Sequence, residues 1–134
     1  LDESIFTASD LAKALKHQEL KCFALKIGKF GGIQPALQFV RMANARGMSV
    51  WMGGMYDTGI SRRMHAAFQM LPGVVDAGDI GATSRYFDVD VTDPPYTVER
   101  GTVTLERRGH ERGLGCVLDR PALSRVLIDQ QTYE

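Results

Sequence analysis

An excess of either charge is missing from this sequence. Its 134 residues carry 16 Lys and Arg against 16 Asp and Glu, a formal net charge of zero, and no basic run breaks that balance. The electrostatic footprint of a nucleic-acid binder is therefore absent. Long apolar runs are missing too. Nothing approaches the roughly 20 consecutive apolar residues of a membrane span, and no signal peptide is visible. Cysteine is scarce: Cys22 and Cys116 form neither a disulfide framework nor a C-x-x-C metal pair, which points to a reducing, cytoplasmic setting. His17, His65 and His110 show no i, i+3 or i, i+4 pairing, so a histidine zinc site has no support and packing, in the core or at the surface, is their expected role. There is no low-complexity segment. With 44% hydrophobic and 24% charged residues the composition is that of an ordered globular protein long enough to bury one core. The chain opens Leu1-Asp2-Glu3, with no initiator methionine and no lead-in, and is expected to be cut from a longer polypeptide.

What is present is a repeat of short apolar runs and helical patterns. Ser9 offers an N-cap for a helix over residues 10–17, with Leu11, Ala14 and Leu15 at helical spacing. Residues 22–27 read as a buried strand, followed by a glycine-rich turn over 28–32. A second helix is expected over 34–45, with Pro35 in its first turn and Gly47 as its stop. Residues 48–52 form the next strand, 60–70 the third helix and 74–77 a short strand closed by Gly78-Asp79. Strand ends fall at Asp2, Lys26, Gly53 and Asp79, at intervals of 24, 27 and 26 residues. Crossovers of this length imply a parallel sheet. The fold class is α/β: four strand ends and three helices amount to half of a (β/α)₈ barrel, with an open doubly wound sheet as the alternative. After Gly81 the pattern changes. Residues 86–91 alternate and stop at Asp93-Pro94-Pro95, a hairpin is expected around Glu99-Arg100-Gly101, Gly113-Leu114-Gly115 is a turn and residues 121–128 are a closing helix. Residues 1–81 thus read as the half-barrel and 82–134 as a tail.

Chemistry-bearing residues gather at the strand ends. Lys26 ends an otherwise apolar strand, and alternation puts it on one face with Cys22 and Ala24. Burial and neighbours at such a position can tune an amine for general-base duty; the competing reading is a lysine snorkelling to solvent. Asp2 and Glu3 are adjacent where the first strand should end, so one can face a barrel mouth while the other faces away; the plainer reading is a solvated helix lead-in. The Gly53-Gly54-Met55-Tyr56-Asp57-Thr58-Gly59 loop offers close backbone approach to a ligand, with Asp57 as a polar contact. The glycines of residues 28–32 could present N–H groups to an anion, but they follow neither phosphate-loop order, and turn formation is their expected role.

As a set, Leu1-Asp2-Glu3-Ser4-Ile5, Leu25-Lys26-Ile27-Gly28-Lys29-Phe30-Gly31-Gly32, Trp51-Met52-Gly53-Gly54-Met55-Tyr56-Asp57-Thr58-Gly59 and Gly78-Asp79-Ile80 resemble the enolase superfamily, most closely its branch of o-succinylbenzoate synthase and N-acylamino-acid racemase. Ser84-Arg85-Tyr86-Phe87 and Gly113-Leu114-Gly115 extend the resemblance over nearly the whole chain. It implies strands five to eight of the barrel, with a tail running back toward an N-terminal capping domain. Asp2 would ligate a catalytic Mg²⁺ (or Mn²⁺), Lys26 would be the acid/base lysine and Glu3 a neighbour that helps set the lysine's charge. Gly53, Gly54, Met55 and Asp57 would line the pocket of a small-molecule carboxylate substrate. The implied chemistry is removal of a proton beside a carboxylate, followed by loss of water in a menaquinone-pathway synthase or by proton return in a racemase. Asp57 stands where relatives usually show glutamate, and Lys29 where many show arginine.

The family's second-strand lysine pair, two further metal carboxylates and the capping domain are not in this sequence. The chain alone is therefore expected to be inactive, and to self-associate as a homo-oligomer or pair with the missing barrel half, since half a barrel leaves two sheet edges and an apolar face uncovered. No nucleic-acid or membrane partner is expected. The alternatives from other classes are a barrel relic acting as a binding module, and a phosphate-binding α/β protein.

Overall fold

The computed structural model describes residues 4–75, 77–105 and 113–132. They fall into two compact units: residues 1–55 with 65–80, and residues 56–64 with 81–134.

The first unit opens with α1 (Ala8–Ala14). Its cap is Thr7 rather than Ser9, and the helix ends three residues short of the expected stop. Thr7 and Asp10 form a reciprocal capping box: the threonine hydroxyl accepts from the Asp10 N–H, and the Asp10 carboxylate accepts from the Thr7 N–H, both at 3.1 Å. A hydroxyl followed three residues on by an acid satisfies two orphan donors at once, which Ser9 has no partner to do. The Thr7 hydroxyl, its main cause, and backbone N–H groups hold the Asp10 carboxyl below its usual pKa.

β1 (Cys22–Leu25) and β2 (Ser49–Met52) pair in parallel, Cys22 opposite Ser49 and Leu25 opposite Met52. The crossover between them is α2 (Ile33–Asn44), with Pro35 in its first turn, where a missing N–H costs nothing. The expected glycine turn over 28–32 is a 3₁₀ turn, Ile27–Phe30. Three of the N–H groups here are already used: Lys29, Gly31 and Gly32 donate to the carbonyls of Lys26, Gly28 and Ile27 at 3.0, 3.3 and 3.2 Å, which weighs against the phosphate-cradle reading. The core lies under this pair: Leu11, Phe23, Leu25, Val50 and Met52 are fully buried, and Phe39 of α2 sits edge-on to Phe23 and against Phe30.

Of the strand expected over 74–77, the described residues show a bridge at Val74: Val50 bridges Val74 and, further along, Gly53 bridges Asp79, both parallel. α3 (Gly59–Gln69) contributes His65 to Gln69 to this unit and Gly59 to Met64 to the second.

The second unit has little regular structure: a 3₁₀ turn at Thr83–Arg85, the two-residue antiparallel pair β3 (Thr92–Asp93) and β4 (Val117–Leu118), and α4 (Arg120–Val126). The expected strand over 86–91 is absent because its carboxylate works across the chain instead. Asp90 accepts from the N–H groups of Gly59 and Tyr96, each at 2.9 Å. Burial pushes its carboxyl up, but those N–H bonds together with the Thr83 and Thr92 side chains outweigh it and leave the group below its usual range. Arg62, 1% exposed, donates Nε to the Asp57 carbonyl and Nη1 to that of Gly81. Arg63 donates to the carbonyls of Pro94 and Pro95, and the Asp93-Pro94 peptide bond is cis. Burial raises the Tyr96 phenol, against the opposing pull of Arg62 and Arg63. The expected hairpin shrinks to one antiparallel bridge, Glu99 to Thr102, around Arg100 and Gly101, both at positive φ. The closing helix is α4, begun one residue early because Asp119 caps it at the Ala122 N–H.

Candidate active site

Three strand ends meet in the first unit. The Gly53 N–H donates to the Leu25 carbonyl at 3.0 Å, carrying the β1–β2 pairing to the point where Lys26 leaves β1. On its other side Gly53 bridges Asp79, whose N–H donates to the Met52 carbonyl at 2.8 Å. Lys26, Gly53 and Asp79 are therefore neighbours in one line across the carboxyl ends of parallel strands, the edge where α/β folds place their chemistry.

Lys26 is half-buried, and its stem lies over Gly53. A Cβ built at position 53 would stand 2.9 Å from the Lys26 Cε and 3.2 Å from its Cγ. At Gly54 a Cβ would run into the backbone carbonyl of Asp79. These two glycines thus admit close approach by the protein itself: an amine-bearing side chain over one, a neighbouring backbone against the other. Alanine at 53 would displace a flexible side chain, whereas alanine at 54 would have to move a strand.

Met55 follows in the same unit and is exposed. Asp57 belongs to the second unit and is half-buried, its carbonyl accepting from the Arg62 Nε at 2.7 Å. Asp2 and Glu3 lie outside the described residues, so the structure does not place the expected metal ligand or its neighbour. Among the described residues, no group of three His, Cys, Asp or Glu side chains could hold a metal ion.

Sequence reasoning gave His65 only a packing role. It is buried, and its Nε2 accepts the Ile27 N–H at 3.3 Å, directly beside Lys26. The available signal was its position on α3: Arg62, His65 and Ala66 share i, i+3, i+4 spacing and are all buried. Polar residues on the inner face of a helix have to meet partners.

The comparisons agree with the geometry. Residues 1–122 match the family described as Enolase C-terminal domain-like, and the chain belongs to that family. It is 30% identical to the o-succinylbenzoate synthase of Bacillus subtilis over 133 residues, 99% of this chain and 35% of that protein. Against the N-succinylamino acid racemase of Thermus thermophilus it is 29% identical, over 98% of this chain and 35% of the relative. A solved enolase-superfamily structure from Enterococcus faecalis superposes with a TM-score of 0.82 at 34% identity, covering 93% of this chain and 33% of that one. The chain thus spans about a third of the length of the curated relatives it matches. Among the described residues, no helix is long and apolar enough to cross a membrane.

Proposed function

We propose that this chain is the part of an o-succinylbenzoate synthase-like lyase that carries its lysine base, on strands five to eight of an enolase-type barrel. The observation that supports this most is the alignment of Lys26, Gly53 and Asp79 across one carboxyl edge. Lys26, with its amine neutral, removes the proton beside the substrate carboxylate and leaves an enediolate anion. The enediolate then expels the hydroxyl group, which leaves as water with the proton that the Lys26 ammonium returns, and the dehydration is complete. The bare backbone at Gly53 gives the lysine stem its track, and Met55 follows two residues on.

A hard divalent cation, Mg²⁺ or Mn²⁺, suits oxygen ligands such as the Asp2 carboxylate. When bound, it supplies stabilisation of the negative charge that proton removal creates; the handling of such anions by a lysine base and Mg²⁺ in the enolase superfamily is an established pattern. Because the described residues hold no metal cluster, its remaining ligands are assigned to parts of the enzyme other than these. Residues 1–134 alone are accordingly expected to be inactive, cytoplasmic as part of the full enzyme, and dependent on the other barrel half or on self-association. A sedimentation run giving a stable monomer with cooperative unfolding would overturn that last expectation.

The racemase relative, matched over almost the same length, supports a second reading: the same lysine in proton exchange without loss of water. Assaying the full-length enzyme for dehydration and for racemisation of an N-succinylamino acid separates the two. Lys26→Ala in that enzyme is expected to lower either turnover by about 10²-fold or more. Unchanged turnover would move the base elsewhere or favour a binding module built on a barrel relic.

A further inference from the structure

We propose that His65 is a positioning residue for Lys26, acting as a helix cap supplied from another element. The inference rests on the reading of Lys26 as the base and goes beyond it. β1 ends at Leu25, and Ile27 is the first residue of the 3₁₀ turn, so the Ile27 N–H has neither a strand partner nor a carbonyl behind it in the turn. Ordinarily the residue at the cap would satisfy such a donor with a side-chain oxygen. Here that residue is Lys26, whose ammonium or amine stem carries no oxygen acceptor and makes no capping bond.

Ile27 is itself buried, and a buried donor without a partner is costly. The partner comes from α3, 38 positions along the chain: His65 Nε2, 3.3 Å away and closed off from solvent. A nitrogen that accepts carries no proton, so the neutral ring holds its proton at Nδ1. The residue that caps the turn in sequence is thereby released to send its side chain over Gly53, while the residue that caps it in space fixes the backbone from which that side chain departs.

The test uses the full-length enzyme and three variants. His65→Leu removes the acceptor at similar bulk, and His65→Gln restores an acceptor, Oε1, at about the reach of Nε2. His65→Leu is expected to lower kcat by roughly 10–100-fold with KM little changed, since small misplacements of a reacting group act on the chemical step. His65→Gln should recover to within a few-fold of wild type. Wild-type kcat in His65→Leu, or equal losses in both variants, would overturn the proposal, the second outcome reducing His65 to a volume filler.

Lys26→Ala separates the two readings. An inactive Lys26→Ala beside an unimpaired His65→Leu defeats the inference alone, whereas an active Lys26→Ala defeats the assignment of the base and with it the positioning role. Should His65→Leu fail to fold, nitrogen NMR of the wild-type enzyme labelled at histidine and isoleucine decides: an unprotonated Nε2 coupled to the Ile27 amide is expected, and a proton on Nε2 overturns the proposal.

Discussion

The two units of this chain keep their backbones satisfied in opposite ways. In the first, parallel strands and the helix α2 bond backbone to backbone, and the interior is left to Phe23, Leu25, Phe39, Val50 and Met52. In the second, regular ladders are a few residues long, and charged side chains take their place. Arg62 and Arg63 serve carbonyls, and Asp90 and Asp119 serve N–H groups. Both meet the requirement that buried peptide groups find partners. The lesson is that buried charge in such a fold need not mark a reacting centre: here it stands in for missing secondary structure.

That contrast can be sharpened by substitution. The largest effect should come from the apolar unit: Phe39→Ala removes a ring packed on two others and is expected to cost about 3–5 kcal/mol by denaturant unfolding, through cavity formation. Asp90→Ala attacks the polar unit. It leaves the Gly59 and Tyr96 amides without their acceptor and should cost about 2–3 kcal/mol, seen as faster hydrogen exchange at those two amides. A comparable loss of protection at Val50 and Met52 would break the distinction between the units.

Acid should separate them more gently. Asp90 has a folded pKa below its unfolded value, so its contribution is complete above the unfolded pKa of about 4 and disappears as pH falls through the lower folded value. Amide shifts of Gly59 and Tyr96 followed through that window should move before those of the β1–β2 pair. Thr7→Ala, which opens the capping box of α1, should cost about 1 kcal/mol. Smallest of all, Arg100→Gly relieves a non-glycine residue at positive φ in the Glu99–Thr102 turn and should stabilise by about 0.5 kcal/mol, read as a small rise in Tm.

The same contrast explains what could be read from sequence. In the first unit apolar periodicity located β1, α2, β2 and α3 to within a residue or two, because local pattern and final partners agree there. The intervals separating Lys26, Gly53 and Asp79 proved to be the register that lines them up. In the second unit, residues 86–91 alternate like a strand, yet Asp90 is committed to amides 31 and 6 positions away. No local rule encodes such a bond. Nor does one encode the duty of His65, which depends on which ring nitrogen meets an amide on a distant turn.

Under the proposed role of Lys26 as the base, its stem resting on Gly53 has a consequence for the energetics of turnover. A free lysine side chain samples many rotamers, and ordering it costs up to about 2 kcal/mol. Laid along a strip of bare backbone, it has given up much of that freedom when the chain folds. An amine held in this way meets each incoming molecule already aimed, so the entropic penalty belongs to folding, incurred once, and is not repeated in every catalytic cycle.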